Sequence, residues 1–355
     1  MRNDSNAVHV TIVSFNEMHS GHSQDIFSLL DMLARLGIKA ERFVLSADLQ
    51  NLQSLPVRPS ILVMNAANAV TVSHAIRACC ESVTLVSYCA WELPKPPKGF
   101  STAPIDVILA GSMFSYESFK LVRSDVQYLP MLVRPLLSNS MFRAPIGGPF
   151  TFLSVLNLCS SASRKNALGV INAFSKAFAL ADFGVKLVLK VSGRHCDPHE
   201  FERVRSASEL DRRIVLLDQS FTYSATQQLF DRCDAYVSLH RSEGFGRTIA
   251  EAMLHEKPVI ATGWSGSMDL TTAETSLLCD FMLRPLSESE YIEIEGQSWA
   301  EPDVHHASSL MADLAMLPLN SRKEIGRLAM ERIQRKFTIP PNIDAYRKVF
   351  SKIIV

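Results

Sequence analysis

Two glutamates lie eight positions apart in the stretch "HRSEGFGRTIAEAM", residues 240–253. Gly244 and Gly246 allow a tight turn between them, and the spacing of the apolar residues that follow predicts a helix. Glu243 then lies before the turn, and Glu251 lies about one turn inside the helix. Backbone amides of such a turn suit a diphosphate, and carboxylates suit the hydroxyls of a ribose or a sugar. The stretch therefore predicts a site for a phosphorylated, hydroxyl-rich ligand.

Arg247 begins the predicted helix, where a cation opposes the helix dipole unless an anion is bound there. Glu251 lies four positions further on. The two side chains could instead form a surface ion pair, which contributes about 0.3 to 0.5 kcal/mol. The sequence leaves both interpretations open.

A second cationic helix start lies in "SRKNALGVINAFSKAF", residues 163–178. Apolar residues recur with a 3.6-residue period and predict a helix from about Lys165 to Ala181. Arg164 and Lys165 fall in its first turn, where a bound phosphate would turn an unfavourable charge into a favourable one. The alternative is that both side chains extend into water.

These segments belong to a chain in which short β-branched runs alternate with amphipathic helices, the pattern of parallel sheets with crossover helices. The alternation stops at a proline- and glycine-rich stretch, 134–150, and then restarts. We therefore expect an α/β protein of two Rossmann-like, doubly wound domains that face a central cleft. The predicted parts are a first domain (1–140), a second domain (150–335) and a C-terminal helix (336–355) that packs back on the first domain.

The composition narrows the class of protein further. The 355 residues include 36 basic and 36 acidic ones, which argues against nucleic acid as a partner. Seven cysteines, odd in number and without a Cys-x-x-Cys pair, are typical of free thiols in a reducing compartment. No run approaches the roughly 18 to 20 apolar residues of a membrane span. We expect a cytoplasmic protein, with peripheral contact at the cytoplasmic face of the inner membrane as an option.

Residues 243–270, "EGFGRTIAEAMLHEKPVIATGWSGSMDL", resemble the Glu-x7-Glu segment of retaining glycosyltransferases of the GT-B fold, in particular glycosyltransferase family 4 (group 1). The resemblance extends to 160–178, to 88–100 ("YCAWELPKPPKGF") and to 298–311 ("SWAEPDVHHASSLM"). These segments together are similar to a bacterial subgroup that builds surface polysaccharides and lipopolysaccharides. The resemblance covers about 150–335 well and is patchier before it.

The resemblance implies that the first domain (1–140) is on the acceptor side and that the second (150–335) binds the donor, and it implies a role for each part of the motif. Arg164 and Lys165 would contact the donor diphosphate, Glu251 the ribose and Glu243 the transferred sugar, so that Glu243, Arg164 and Lys165 form the catalytic set. The remaining donor contacts would come from Gly21, Gly244, Phe245, Gly246 and Arg247. The family often has a Gly-Arg pair that this chain replaces with "VLNLCSSASRKN", so Arg164 would take the place of the missing arginine.

On the acceptor side, many members carry a histidine where this chain has Trp91 and Glu92. An aromatic and basic loop there could border an acceptor or touch lipid head groups; the alternative is an ordinary surface loop around a buried tryptophan. The implied reaction is retaining transfer of a hexose, with mannose one candidate, from a GDP- or UDP-sugar to a lipid-linked or growing surface glycan. A GT-B sugar-nucleotide epimerase and a non-catalytic nucleotide-sugar-binding subunit are the alternatives.

No metal is expected to be obligatory, because the chain contains no Asp-x-Asp motif, and no cofactor is expected besides the nucleotide diphosphate sugar as donor substrate. "HCDPHE", residues 195–200, has the spacing of metal ligands. Asp197 and Pro198 also read as a helix N-cap followed by proline in the first turn, and we prefer that interpretation.

Overall fold

The computed structural model describes residues 9–15, 21–134, 148–179 and 184–353. The chain divides into two compact units, one formed by Met1–Arg134 with Lys336–Val355 and the other by Pro135–Arg335. Each unit contains a six-stranded parallel sheet with helices, which confirms the predicted α/β class. Most of the proline- and glycine-rich stretch, 135–147, lies outside the described residues.

The sheet of the first unit has the order β2-β1-β3-β4-β5-β6, with every strand parallel to its neighbours. Val10, Ile12 and Val13 of its first strand are all buried, as expected of a strand covered on both faces. The strands are β1 (His9–Phe15), β2 (Lys39–Leu45), β3 (Ser60–Leu62), β4 (Leu85–Cys89), β5 (Val107–Ala110) and β6 (Val126–Tyr128).

The helices of the first unit come from both ends of the chain. They are α1 (Gly21–Arg35), α2 (Ala66–Cys79), α3 (Met113–Lys120) and α11 (Ile339–Ile353). The last helix contacts the first, and the buried Tyr346 hydroxyl lies 2.6 Å from the Tyr88 hydroxyl and donates to Pro130 O at 2.8 Å. The C-terminal helix is thus part of the core of the first unit.

The sheet of the second unit has the order β12-β11-β10-β7-β8-β9, again parallel throughout. After β9 the chain returns to the other side of β7, so that the order of the strands reverses between β7 and β10. The strands are β7 (Phe150–Asn157), β8 (Val185–Ser192), β9 (Ile214–Asp218), β10 (Ala235–Ser238), β11 (Val259–Thr262) and β12 (Leu277–Cys279).

Helices cover both faces of this second sheet. Phe152, Leu187 and Phe174 lie in one apolar cluster with residues of α5, α6 and α9, while α7 and α8 pack against the other face. The helices are α4 (Ala162–Lys165), α5 (Ala167–Ala177), α6 (Pro198–Glu209), α7 (Tyr223–Arg232), α8 (Arg247–Leu254), α9 (Val304–Met316) and α10 (Leu319–Phe337). An antiparallel pair, β13 (Phe281–Pro285) and β14 (Ser298–Pro302), precedes α9.

Candidate functional site

The loops that follow β7 and β10 carry the predicted catalytic residues. Ligands of open α/β sheets bind outside the carboxyl ends of the strands, at the point where the strand order reverses. In the second sheet this point lies between β7 and β10, which are neighbours. Arg164 and Lys165 come soon after β7, and Glu243 comes soon after β10. The fold therefore brings Arg164 and Lys165 next to Glu243, which lies 78 or 79 positions further along the sequence.

The segment around the basic pair differs from the expected long helix. Arg164 and Lys165 end the short α4, and Asn166, with a left-handed backbone (φ 55°), separates α4 from α5. The Asn166 side chain accepts from Gly169 N at 3.2 Å and donates to Leu239 O at 2.8 Å. Asn166 therefore caps α5 and anchors it to the end of β10. The basic pair lies before this cap, not in the first turn of the long helix as predicted.

Glu243 lies between the two cations. Lys165 Nζ donates to Glu243 Oε1, and Arg164 Nη1 lies 3.3 Å from Glu243 Oε2. Arg164 also donates to Ser242 O and to Ser160 O, at 2.8 Å each. Arg164 is only 2% exposed. The alternative in which both cations extend into water is therefore wrong.

The two basic neighbours of Glu243 determine its charge. Burial raises the pKa of Glu243, but Lys165 and Arg164 outweigh that effect and hold the pKa at about 2. The carboxylate is thus ionised at neutral pH and is paired with two cations. Cations held in place in this way can also stabilise a phosphate group.

The glycine turn follows Glu243 and leads into α8. Gly246 is the N-cap of α8, with a left-handed backbone (φ 91°). Gly266 packs against this turn so closely that a Cβ there would lie 2.1 Å from Gly244 O, and its amide donates to Glu243 O at 2.8 Å. Phe245 is 4% exposed. The backbone of the turn is therefore fixed by a second, neighbouring segment.

Glu251 lies in α8, about one turn from its start, as predicted. It is only 5% exposed, whereas Arg247 is partly buried at the start of the helix. A carboxylate so deeply buried does not form a solvent-exposed ion pair. The surface ion pair of Arg247 and Glu251, which was the alternative, is therefore excluded. Burial of an ionisable group inside a helix next to the glycine turn favours a polar ligand or partner.

His240, which the sequence analysis did not select, lies beneath the cluster. The ring is fully buried and hydrogen-bonds with Ser238 Oγ and Ser267 Oγ, at 3.0 Å each. Burial lowers its pKa to about 4. At neutral pH His240 is therefore uncharged and hydrogen-bonds on both sides. The sequence signal that could have identified His240 is its position directly after a predicted strand.

A chain of ion pairs holds the loop that carries Arg164 and Lys165. Arg241 donates to Ser163 O, and its backbone N–H donates to Arg164 O at 2.8 Å. The Arg241 guanidinium also forms two bonds, of 2.7 and 2.8 Å, with the Glu301 carboxylate on β14. Arg284 on β13 donates to the same carboxylate at 2.8 Å.

The far end of this chain returns to the same loop. Arg284 forms two bonds with Glu290, and Glu290 O accepts from Ser161 Oγ at 3.0 Å. The buried Trp299 ring lies under both guanidinium groups, at 5.9 Å from Arg241 and 5.4 Å from Arg284. We call Arg241, Arg284, Glu290 and Glu301 the ionic brace. The sequence offers little sign of it, because its first and last members are 60 positions apart.

The predicted residues of the first unit have different surroundings. Gly21 begins α1, directly after residues 16–20, which lie outside the described part of the chain. Trp91 is fully buried, and its Nε1 donates to Lys95 O at 2.7 Å. Its indole is therefore a core group and offers no surface to an acceptor or a lipid, which corrects the first expectation for this residue.

Glu92 lies beyond the carboxyl end of β4 and is half-buried. Its carboxylate accepts from the Asn65 side chain at 3.3 Å, and Asn65 is the N-cap of α2. Among the residues that the structure describes, no helix is long and apolar enough to cross a membrane.

Two cysteines in the second unit correct the expectation of free thiols. Cys159 and Cys196 are joined by a disulfide, with their Cα atoms 5.0 Å apart. They are 37 positions apart in the sequence and lie in loops after the neighbouring strands β7 and β8, so their spacing in the chain gave no sign of the pair.

The N-cap interpretation of Asp197 is confirmed, since it accepts from Glu200 N at 2.9 Å and Pro198 follows in the first turn.

Residues 149–284, which include the basic pair, the glycine turn and both glutamates, match the family model described as Glycosyl transferases group 1. The chain is a glycosyltransferase. Its fold is of the GT-B type, as the solved structures that it resembles indicate. No curated protein sequence matches this glycosyltransferase.

Three solved structures illustrate that likeness. Anabaena Alr3699/HepE in complex with UDP-glucose has a TM-score of 0.70 at 13% identity, over 97% of this chain and 100% of that one. An alpha,alpha-trehalose-phosphate synthase (UDP-forming) from Burkholderia vietnamiensis has a TM-score of 0.67 at 10% identity, over 98% and 99%. A mutant of S. aureus TarM, in complex with Fondaparinux, alpha-GlcNAc-glycerol and UDP, has a TM-score of 0.58 at 14% identity, over 82% and 55%. At these identities the likeness shows the fold alone.

Proposed function

We propose that this glycosyltransferase moves a hexose from a UDP-sugar to a saccharide acceptor, with retention of the anomeric configuration. The observation that carries the proposal is the Glu243 carboxylate held between Lys165 and Arg164, beside the glycine turn and at the reversal point of the sheet. Each part of a nucleotide sugar then has a group of suitable chemistry within this one region of the second unit.

The diphosphate is the leaving group, and its negative charge grows in the transition state. The Lys165 and Arg164 cations and the backbone amides at the start of α8 would stabilise that charge. We assign the phosphate contacts to Lys165, Arg164 and the turn Gly244–Gly246, with Arg247 as a further contact at the start of the helix. A diphosphate near Lys165 would compete with Glu243 for the ammonium group and so leave the carboxylate able to bind a hydroxyl of the transferred sugar.

Glu251 is assigned to the ribose. It is buried about one helical turn beyond the glycine turn, so a nucleotide whose phosphates meet the turn would place its ribose within reach. A carboxylate accepts two hydrogen bonds side by side, which suits vicinal hydroxyls. Gly21 at the start of α1 remains a proposed contact of the donor phosphates.

Uridine is favoured over guanosine as the base of the donor. UDP or UDP-glucose is named in two of the three structures described above, and the third is of a UDP-forming enzyme. Retention is supported in the same way, because alpha,alpha-trehalose-phosphate and alpha-GlcNAc-glycerol, named for two of them, carry α linkages. Glucose, N-acetylglucosamine and mannose are the hexoses to test first.

For the acceptor we propose a lipid-linked or growing surface glycan, processed at the cytoplasmic face of the membrane. Glu92 is its proposed contact in the first unit, since it is a half-buried carboxylate beyond the carboxyl end of a parallel strand. Trp91 is proposed only to hold this loop in place from the core.

The test is a donor panel. The wild-type protein and a Glu251→Ala variant are incubated with UDP- and GDP-sugars, with and without an extract of lipid-linked saccharides, and release of the nucleotide diphosphate is measured. We expect release from one UDP-sugar that the acceptor stimulates, and a large loss in the variant. A Glu274→Ala variant is the matched control, because Glu274 is exposed.

The configuration of the product is read by nuclear magnetic resonance of the new anomeric proton. A β-linked product from an α-configured donor would refute retention. Conversion of the donor to another sugar nucleotide without acceptor would indicate an epimerase, and tight donor binding without any turnover would indicate a binding subunit. A Glu251→Ala variant with full activity would show that the ribose assignment is wrong.

A further inference from the structure

The disulfide of the second unit is part of a larger cluster of metal-ligating groups. Cys159 lies in a short 3-10 helix, Leu158–Ser160, directly after β7, and Cys196 lies in the turn after β8. The last residues of these strands, Asn157 and Ser192, are paired in the sheet, so the two loops start side by side. The third member, His195, precedes Cys196.

The backbone holds these loops close together. Asn157 Oδ1 accepts from Cys159 N at 3.1 Å, and Cys196 N donates to Gly193 O at 2.9 Å. Gly193 has a left-handed backbone (φ 78°), and a Cβ there would lie 2.5 Å from Asn157 Oδ1 and 2.8 Å from Cys159 Sγ. Only glycine fits this position, so the close approach of the two loops is built into the fold.

The distances suit a tetrahedral metal ion. The two sulfur atoms and a ring nitrogen of His195 all lie within 4.8 Å of one another, and His195 Nε2 is 3.8 Å from Cys159 Sγ. With Zn–S of about 2.3 Å and Zn–N of about 2.0 to 2.1 Å, tetrahedral ligand atoms lie about 3.6 to 3.8 Å apart. The nitrogen is already at this separation from Cys159 Sγ, whereas the two bonded sulfurs must move apart.

We propose that Cys159, Cys196 and His195 form a binding site for a thiophilic divalent ion of the Zn²⁺ class, which the reduced thiols hold and the disulfide excludes. Two thiolates and an imidazole are ligands that zinc prefers, and three protein ligands leave a fourth position to water. All three residues are exposed, so ions and small thiols can reach them.

The two states are related by a balanced exchange. A dithiol reductant transfers two electrons to the disulfide, the S–S bond breaks, and the reductant becomes a cyclic disulfide. Each cysteine then carries a thiol proton, and both protons are released when the two sulfurs bind the metal. Reduction and metal binding therefore belong to one equilibrium, in which an oxidant favours the disulfide and zinc favours the reduced pair.

The site adjoins the basic cluster without belonging to it. Ser160, next to Cys159, provides the carbonyl that accepts from Arg164. Whether the metal alters sugar transfer depends on the proposed function, but metal binding itself does not. The test therefore measures binding and needs no substrate.

The experiment compares the oxidised protein with protein that has been reduced by dithiothreitol and freed of it without oxygen. Both are equilibrated with Zn²⁺, passed through a desalting column and analysed for zinc with a chromophoric chelator. We expect one zinc per reduced chain and none per oxidised chain. Cys159→Ser and Cys196→Ser should lose the zinc, and His195→Asn should weaken binding by more than about tenfold.

A Cys79→Ser variant is the matched control, since Cys79 is an exposed free cysteine outside the cluster, and it should keep its zinc. Co²⁺ in place of zinc reports the ligands directly, through sulfur-to-cobalt charge-transfer absorption that should disappear in each cysteine variant. Circular dichroism checks that the variants are folded. The proposal is overturned if the reduced chain binds no zinc, or if zinc stays in the folded Cys159→Ser and Cys196→Ser variants. An unchanged affinity in His195→Asn would remove the histidine from the site.

Discussion

The carboxyl ends of the two sheets are built differently. After β4 in the first unit, the loop closes over a fully buried Trp91 and leaves one half-buried carboxylate, Glu92. After β7 and β10 in the second unit, the loops hold the buried Arg164 and the partly buried Lys165 against the carboxylate of Glu243. The first end is held by apolar packing, and the second is held by charge.

This difference indicates which end suits the stabilisation of a developing charge. Buried, preorganised charges can stabilise a developing charge without reorganising, whereas apolar packing gives shape and binding but no such stabilisation. The ionic brace and the neutral His240 keep the charged end in position, which an apolar core does for the other end. We therefore expect changes in the second unit to alter the rate of transfer, and changes at Glu92 to alter acceptor binding.

The largest expected effect is that of Lys165→Ala. It removes the ammonium group that offsets the diphosphate charge, and loss of one such group typically lowers kcat by about 10² to 10³. Donor turnover is measured with saturating acceptor. Lys176→Ala, an exposed lysine on α5, is the control and should keep full activity. A Lys165→Ala enzyme within a factor of two of the wild type would break the contrast between the two ends.

The second prediction concerns acid. The folded pKa of His240 is about 4, below the ordinary value of 6.5, so the unfolded state binds a proton that the folded state does not. Stability should fall as the pH drops from 6.5 towards 4, by an amount on the order of 3 kcal/mol from this one group. Glu243 contributes in a lower window, because its stabilisation is present above pH 4.5 and lost as the pH falls towards 2.

Tryptophan fluorescence can follow the pH dependence of unfolding in the second unit alone. Two of the three tryptophans, Trp264 and Trp299, lie there, so a Trp91→Phe background leaves no tryptophan signal from the first unit. Urea unfolding is then measured between pH 7 and 4, with and without His240→Gln. The substitution should flatten the pH dependence above pH 4. Equal slopes in the two proteins would assign the acid sensitivity to other groups.

The contrast between the two ends also explains what the sequence could predict. The apolar pattern was sufficient for the α/β class, because burial of a sheet on both faces leaves a continuous apolar run in each central strand, but it did not identify every strand. Glu243 and Glu251 were recognisable because the glycines between them specify a local turn. The break at Asn166 was missed because the apolar stripe begins only at Ala167 and does not fix the first residue of the helix, although asparagine is a common N-cap and tolerates a left-handed backbone.

The rest depends on contacts between distant segments. The pairing of Cys159 with Cys196, and of Arg241 with Glu301, follows from the order of strands in the sheet and from the β13–β14 hairpin. Neither has a local pattern, since an ion pair or a disulfide fixes no periodicity. Trp91 shows the converse, because an aromatic residue in a proline-rich loop gives no sign of whether its ring is exposed or buried.

A smaller effect is expected at the ionic brace. Glu301→Gln keeps the shape but removes the charge that binds Arg241 and Arg284, and a hydrogen bond to a charged group contributes about 1.5 to 3 kcal/mol. Part of this loss should appear as disorder in the loop that carries Arg164 and Lys165. We then expect kcat to fall by about tenfold and the donor KM to rise. Glu324→Gln removes an exposed ion pair on α10 and serves as the control. If Glu301→Gln lowers stability but leaves both constants unchanged, the brace supports the fold and not the basic pair.

The smallest effects should come from the first unit, where Glu92 should affect acceptor binding and Trp91 should affect stability. Glu92→Gln keeps a group that can accept from Asn65 but removes the negative charge, so we expect a few-fold higher KM for the acceptor and an unchanged rate of donor hydrolysis without acceptor. Trp91→Phe removes the hydrogen bond to Lys95 O and should lower stability by about 1 kcal/mol with little change in either KM. Initial rates at varied acceptor, together with thermal unfolding, measure both. If Trp91→Phe raised the acceptor KM as much as Glu92→Gln does, the loop would act through its shape, and the carboxylate would have no role of its own.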